Sequence, residues 1–115
     1  MTSTRALPKQ LSLIDLASLP GIDPCILLMW APWDENSEAA DALLGKLQPE
    51  FRDLDFRAVD VGDETWAPWL AENGITTTPT FALYRKGRLM NLRKGFHSED
   101  RLRELLRAWI AACDG

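Results

Sequence analysis

Short unbroken apolar runs alternate along this chain with stretches in which apolar residues recur every three or four positions. Residues 25–30, Cys-Ile-Leu-Leu-Met-Trp, are apolar throughout, as a strand covered on both faces of a parallel sheet requires. From Asp34 onward helical spacing takes over, with Leu43, Leu44 and Leu47 on the apolar face. Gly45 weakens that helix slightly and Pro49 ends or kinks it. Upstream, Leu11, Leu13, Ile14, Leu16 and Leu19 predict a brief strand running into about two turns of helix, broken by Pro20-Gly21 and Asp23-Pro24. Residues 56–61 predict the next strand. Asp63 or Thr65 then caps a short helix whose first turn accepts Pro68, and Asn73-Gly74 closes it. Residues 80–84 and 88–92 predict a hairpin around Arg85-Lys86-Gly87. Ser98 caps a final helix striped by Leu102, Leu105, Leu106, Trp109 and Ile110, with Glu99 and Asp100 complementing its dipole. Trp66 and Trp69 read as packing residues, Trp69 facing the core.

Strand–helix alternation followed by a hairpin and a helix predicts an α/β domain, a mixed sheet with helices on both faces. At 115 residues the chain fits one domain over 10–115, preceded by a disordered tail at 1–9, and it can bury a core without metal or disulfide staples. The longest uncharged apolar run, 25–33, is too short to span a bilayer. The first eight residues lack the apolar segment of a secretory signal, so the expected location is cytoplasmic. Two cysteines far apart, Cys25 and Cys113, make neither a disulfide framework nor a metal site.

The formal charge of −4 is unevenly spread: residues 1–84 carry five basic and thirteen acidic side chains, whereas eight Lys/Arg fall between Arg85 and Arg107. Without interleaved aromatics or a binding motif, the basic half does not predict a nucleic-acid partner. Asp34, Glu35, Glu38, Asp41, Asp60, Asp63 and Glu64 follow the ends of two adjacent predicted parallel strands, where open α/β sheets present their sites. Such a rim predicts attraction for a basic partner, although Asp34 and Glu35 also suit a helix N-terminus for purely structural reasons. Their spacing matches no metal-ligand pattern, and no cofactor motif is present.

Four segments in order carry a family resemblance. Trp30-Ala-Pro-Trp33, Gly74-Ile-Thr-Thr-Thr-Pro-Thr80, Lys86-Gly87 and Gly95 resemble the thioredoxin family over roughly residues 10–112. The resemblance implies the thioredoxin fold and a cis bond before Pro79. It also implies a groove for an extended peptide at Trp33, Thr78, Pro79, Gly95 and Phe96. A thioredoxin needs two thiols after the tryptophan motif, the first activated at a helix N-terminus and the second resolving the mixed disulfide. Asp34 and Ser37 stand at those positions, and Leu28 stands where the family buries an aspartate. No catalytic residue is therefore assigned. The expected function is protein or extended-peptide binding, as a chaperone, assembly factor or accessory subunit, at Trp33, Asp34, Glu35, Ser37, Thr78, Pro79, Gly95 and Phe96. The alternative is a thiol–disulfide oxidoreductase using Cys25 or Cys113 at a non-standard site. Those cysteines are expected at the pole opposite the rim, Cys25 buried and inert, Cys113 exposed. His97, the sole histidine, reads as groove edge or solvent-facing.

Overall fold

The computed structural model describes residues 7–114, with side chains described through residue 112. Its elements in chain order are β1 (Ser12–Leu13), β2 (Cys25–Trp30), α1 (Glu35–Leu47), β3 (Asp55–Asp60), α2 (Ala67–Glu72), β4 (Thr80–Arg85), β5 (Arg88–Lys94) and α3 (Glu99–Asp114). Short 3-10 turns at Leu16–Gly21, Gln48–Glu50 and Glu64–Trp66 link them. One five-stranded sheet runs in the order β1-β3-β2-β4-β5. β2 lies parallel to β3 with Leu27 opposite Arg57, and antiparallel to β4 with Leu27 opposite Ala82. All six β2 residues are buried, which explains their unbroken apolar run: a central strand covered on both faces has no polar side.

Two cores sit on the two faces of the sheet. On one, Leu28, Phe56 and Phe81 meet Leu44 and Leu47 of α1 and Leu102, Leu106 and Trp109 of α3. On the other, Leu27, Met29 and Val59 meet Leu19, Trp66 and Leu70. Trp66 is the buried member of the tryptophan pair, stacked edge-on at 5.0 Å by Trp69, which is only partly buried. Both tryptophans are packing residues as expected, and Trp69 faces the core, packed against it while only partly buried.

Asp41 also departs from expectation. It is buried, and its carboxylate accepts backbone N–H groups from Lys9 and Gln10 at Oδ2 and from Leu11 at Oδ1, each at 2.9 Å. Helix α1 thereby pins the segment entering β1. The tail expected at 1–9 accordingly has Lys9 tied down by Asp41, while residues 1–6 lie outside the described residues. Gly45 allows the same close approach: a Cβ there would stand 2.6 Å from Gln10 Cβ. At the opposite pole Arg103 of α3 grips both oxygens of Glu50 at 2.9 and 3.0 Å.

Candidate functional site

Where β2 ends, Ala31-Pro32-Trp33 turns the chain into α1. Asp34 caps that helix, its Oδ1 accepting the N–H of Asn36 at 2.9 Å. Its other oxygen, Oδ2, accepts the Thr78 hydroxyl at 2.7 Å and the Ser37 hydroxyl at 3.3 Å. Ser37 is fully buried and its Oγ in turn accepts the Ala31 N–H at 3.2 Å. The two positions that a thioredoxin gives to its thiols are therefore joined by a hydrogen bond, and the residue before Pro79 closes the network. Chiefly because of the Thr78 hydroxyl, the Asp34 carboxyl is held below the usual carboxylate range; the cap bond to Asn36 and the Ser37 contacts add to this against the effect of burial. Every polar atom here does structural work.

Trp33 stands 71% exposed beside this network. It borders a groove of about 400 Å³ lined also by Val61, Leu70, Ile75, Thr76, Thr77 and Thr78. Among the described residues, the backbone N–H and C=O groups of Thr76 and Thr78 make no hydrogen bond. The Thr78–Pro79 bond is cis, and the Pro79 carbonyl accepts the N–H of Gly95 at 2.9 Å. Gly95 takes φ +89°, a conformation that favours glycine. Phe96 is 48% exposed but does not line the groove. His97 lies half-buried, its ring 6.0 Å from that of Phe81.

The sequence therefore brings Trp33, Asp34, Ser37, Thr78 and Pro79 together, with Gly95 against Pro79. It does not identify Val61, Leu70 and Ile75, which form the apolar floor. Ile75 lies inside the Gly74–Thr80 motif and could have been found there; Leu70 reaches the groove only through the placement of α2.

The seven-carboxylate rim is smaller than expected. Asp41 is used by the N-terminal segment, and Asp60 is buried with its Oδ1 accepting the Gly62 N–H. Asp63 caps the turn leading to α2 through the Thr65 N–H, and Glu38 pairs with Lys9 Nζ at 2.9 Å. Glu35, beside Asp34, and Glu64 remain as exposed carboxylates. A carboxylate at a strand end is as readily consumed by backbone N–H groups as presented to a partner.

Cys25 sits at the far end of β2, fully buried, and burial pushes its thiol up to about 12. A thiolate is the reactive species, so Cys25 is unsuited to exchange. The Cys113 side chain lies outside the described residues. Among those described, no group of three or more His, Cys, Asp or Glu could hold a metal, and no helix is long and apolar enough to cross a membrane.

Neither a family model nor a curated protein sequence matches the chain. Solved structures do. A chain from structural work on thiol resolution in the yeast mitochondrial 1-Cys peroxiredoxin by the glutathione and thioredoxin systems superposes with a TM-score of 0.70 at 22% identity. That match covers 87% of this chain and 95% of the other. Oxidised mitochondrial thioredoxin 3 from Saccharomyces cerevisiae gives a TM-score of 0.66 at 22% identity, covering 80% of this chain and 84% of that one. Strand order, mixed sheet and these superpositions together establish that the chain has the thioredoxin fold.

Proposed function

We propose that this protein binds an extended polypeptide segment in the groove beside Trp33 and performs no thiol–disulfide exchange there. The observation that carries the reading is the Ser37–Asp34–Thr78 hydrogen-bond network at the positions of the thiol pair. Neither carboxylate nor hydroxyl can accept electrons from a dithiol, and both are committed to holding the loop. What the groove offers instead is an exposed indole, an apolar floor and the unpaired backbone of Thr76 and Thr78. A peptide in extended conformation satisfies such backbone groups by strand addition, while its side chains use the floor. Asp34 and Glu35 favour a basic residue near Trp33. A role as chaperone, assembly factor or accessory subunit, in the cytoplasm, is consistent with a binding protein of this kind.

The alternative, an oxidoreductase, has the neighbouring structures in its favour, since both come from thiol redox systems. Cys25 does not support it, for the reason of burial given above.

Titration of ¹⁵N-labelled protein with an alternating Lys-Val peptide tests the binding reading. The Trp33 indole and the amides of residues 76–78 should shift. Trp33→Ala should weaken binding by about 2 kcal/mol, roughly thirtyfold, as for a central aromatic anchor. Shifts confined to other surfaces, or binding indifferent to Trp33→Ala, would remove the groove from the account.

A further inference from the structure

We propose that the outer edge of β5 is a second docking site, separate from the Trp33 groove, for an acidic polypeptide segment that adds to the sheet as a sixth strand. β5 is the last strand of the sheet order, so alternate N–H and C=O groups along Arg88–Lys94 point away from β4. Edges of this kind are usually blunted by charge and by bulges, and β5 carries both, which turns away strands of like charge. Here the strand is seven residues long, and Met90 and Leu92 are 45% and 39% exposed, two of the five large apolar side chains exposed among the described residues. A strand built only to repel others has no use for them.

Charge selects the occupant. Residues 85–94 include Arg85, Lys86, Arg88, Arg93 and Lys94 and no acid. Among the described residues no carboxylate lies in ion-pair contact with Lys86, Arg88, Arg93 or Lys94. Beside the strand, Arg93, His97 and Arg101 line a hollow of about 240 Å³ with Glu104 and Leu105, between β5 and α3. An acidic side chain on an added strand would meet the two guanidinium groups there.

A second copy of the chain fits poorly. Antiparallel self-pairing about Asn91 sets Arg88 opposite Lys94 at both ends, placing like charges face to face, and leaves only Met90 opposite Leu92 as an apolar pair. The edge also carries a bulge: Leu83 faces Asn91 and Tyr84 faces Leu89, leaving Met90 as the extra residue. That bulge increases local twist and disfavours a flat symmetric pairing. Nucleic acid would use the charges but neither the backbone edge nor the apolar pair, so the partner is a polypeptide.

The test is fluorescence anisotropy with a labelled, alternating Glu-Val peptide long enough to span β5, alongside amide hydrogen exchange of the wild-type protein. Binding should weaken with salt between about 50 and about 300 mM, as exposed charge pairs require. It should fall at least about tenfold in Arg93→Glu/Lys94→Glu, and slowed exchange should map to residues 88–94. The Lys-Val peptide should leave exchange at 88–94 unchanged, which separates this site from the Trp33 groove. The proposal fails if the Glu-Val peptide does not bind at millimolar concentration, or if its protection maps elsewhere. It fails equally if an oligothymidylate of the same charge protects the strand as well as the peptide does. The exchange map needs no variant, so a misfolded double mutant would not shelter the idea.

Discussion

Replacing Asp41 with alanine removes three hydrogen bonds at once, because one carboxylate receives the N–H groups of Lys9, Gln10 and Leu11. Bonds to a charged acceptor contribute about 1.5–3 kcal/mol each, but they do not add when the segment can lift away together. The Lys9 and Gln10 N–H groups are part-buried and can recover water if the chain moves outward. The Leu11 N–H is buried, and Leu11 itself is only 4% exposed, so rehydrating it means withdrawing that side chain from the core. A full charge-assisted bond at Leu11 plus a fraction of the other two gives a loss of about 3 kcal/mol. At about 4 °C per kcal/mol for a domain of this size, Tm should fall by about 12 °C. Differential scanning calorimetry checks this, with native-state exchange showing early opening of the Leu11 amide. Asp41→Asn should be no milder, since its amide nitrogen would turn a donor toward other donors. Glu38→Gln, at an exposed position one turn earlier, should cost under about 0.5 kcal/mol. A Tm for Asp41→Ala within about 3 °C of wild type would refute the reasoning, and so would a wild-type-like Asp41→Asn.

Three further outcomes are expected. Asp34→Ala should destabilise the fold by about 1 kcal/mol at neutral pH, through the cap and the Thr78 bond. Because the Asp34 carboxyl is depressed from 3.8 in the folded protein, its contribution is complete above about pH 4 and is lost as pH falls through the folded value. Urea titrations from neutral pH to below pH 4 should therefore show the gap between wild type and variant narrowing only at the acid end. Gly45→Ala should lower Tm although alanine is the better helix former, by about 1 kcal/mol net, since the new Cβ meets Gln10 Cβ at 2.6 Å. Adding Gln10→Gly should recover much of that loss. In a Cys113→Ser background, Cys25 should not react with a thiol reagent at pH 8 until the protein is unfolded, because burial raises its thiol to about 12.

Much of this fold was written in local patterns. The unbroken run at 25–30 marked the central strand to the residue, and the spacing of Leu44, Leu47, Leu102 and Leu106 marked the helix faces that close one core. Asp34 was legible as a cap because capping is a matter of three adjacent residues. What escaped were features made by chain segments distant in sequence. Asp41 read as a rim carboxylate, yet its partners are backbone groups about thirty positions earlier, and backbone donors leave no trace in side-chain pattern. Gly45 read as a weak point in α1, although it is the gap through which Gln10 passes. At the site, motif position located Trp33, Thr78 and Pro79. The Thr78–Asp34 bond, which spans 44 positions and ties the two loops together, needed the fold before it could be seen.

Dithiothreitol-driven reduction of insulin, followed by turbidity, tests the central claim most directly, with wild type and Asp34→Cys/Ser37→Cys run side by side. The account predicts a wild-type rate equal to the dithiothreitol blank and a gain of turnover only in the double-cysteine variant. Wild-type turnover above the blank, abolished by Cys25→Ser or Cys113→Ser, would contradict it.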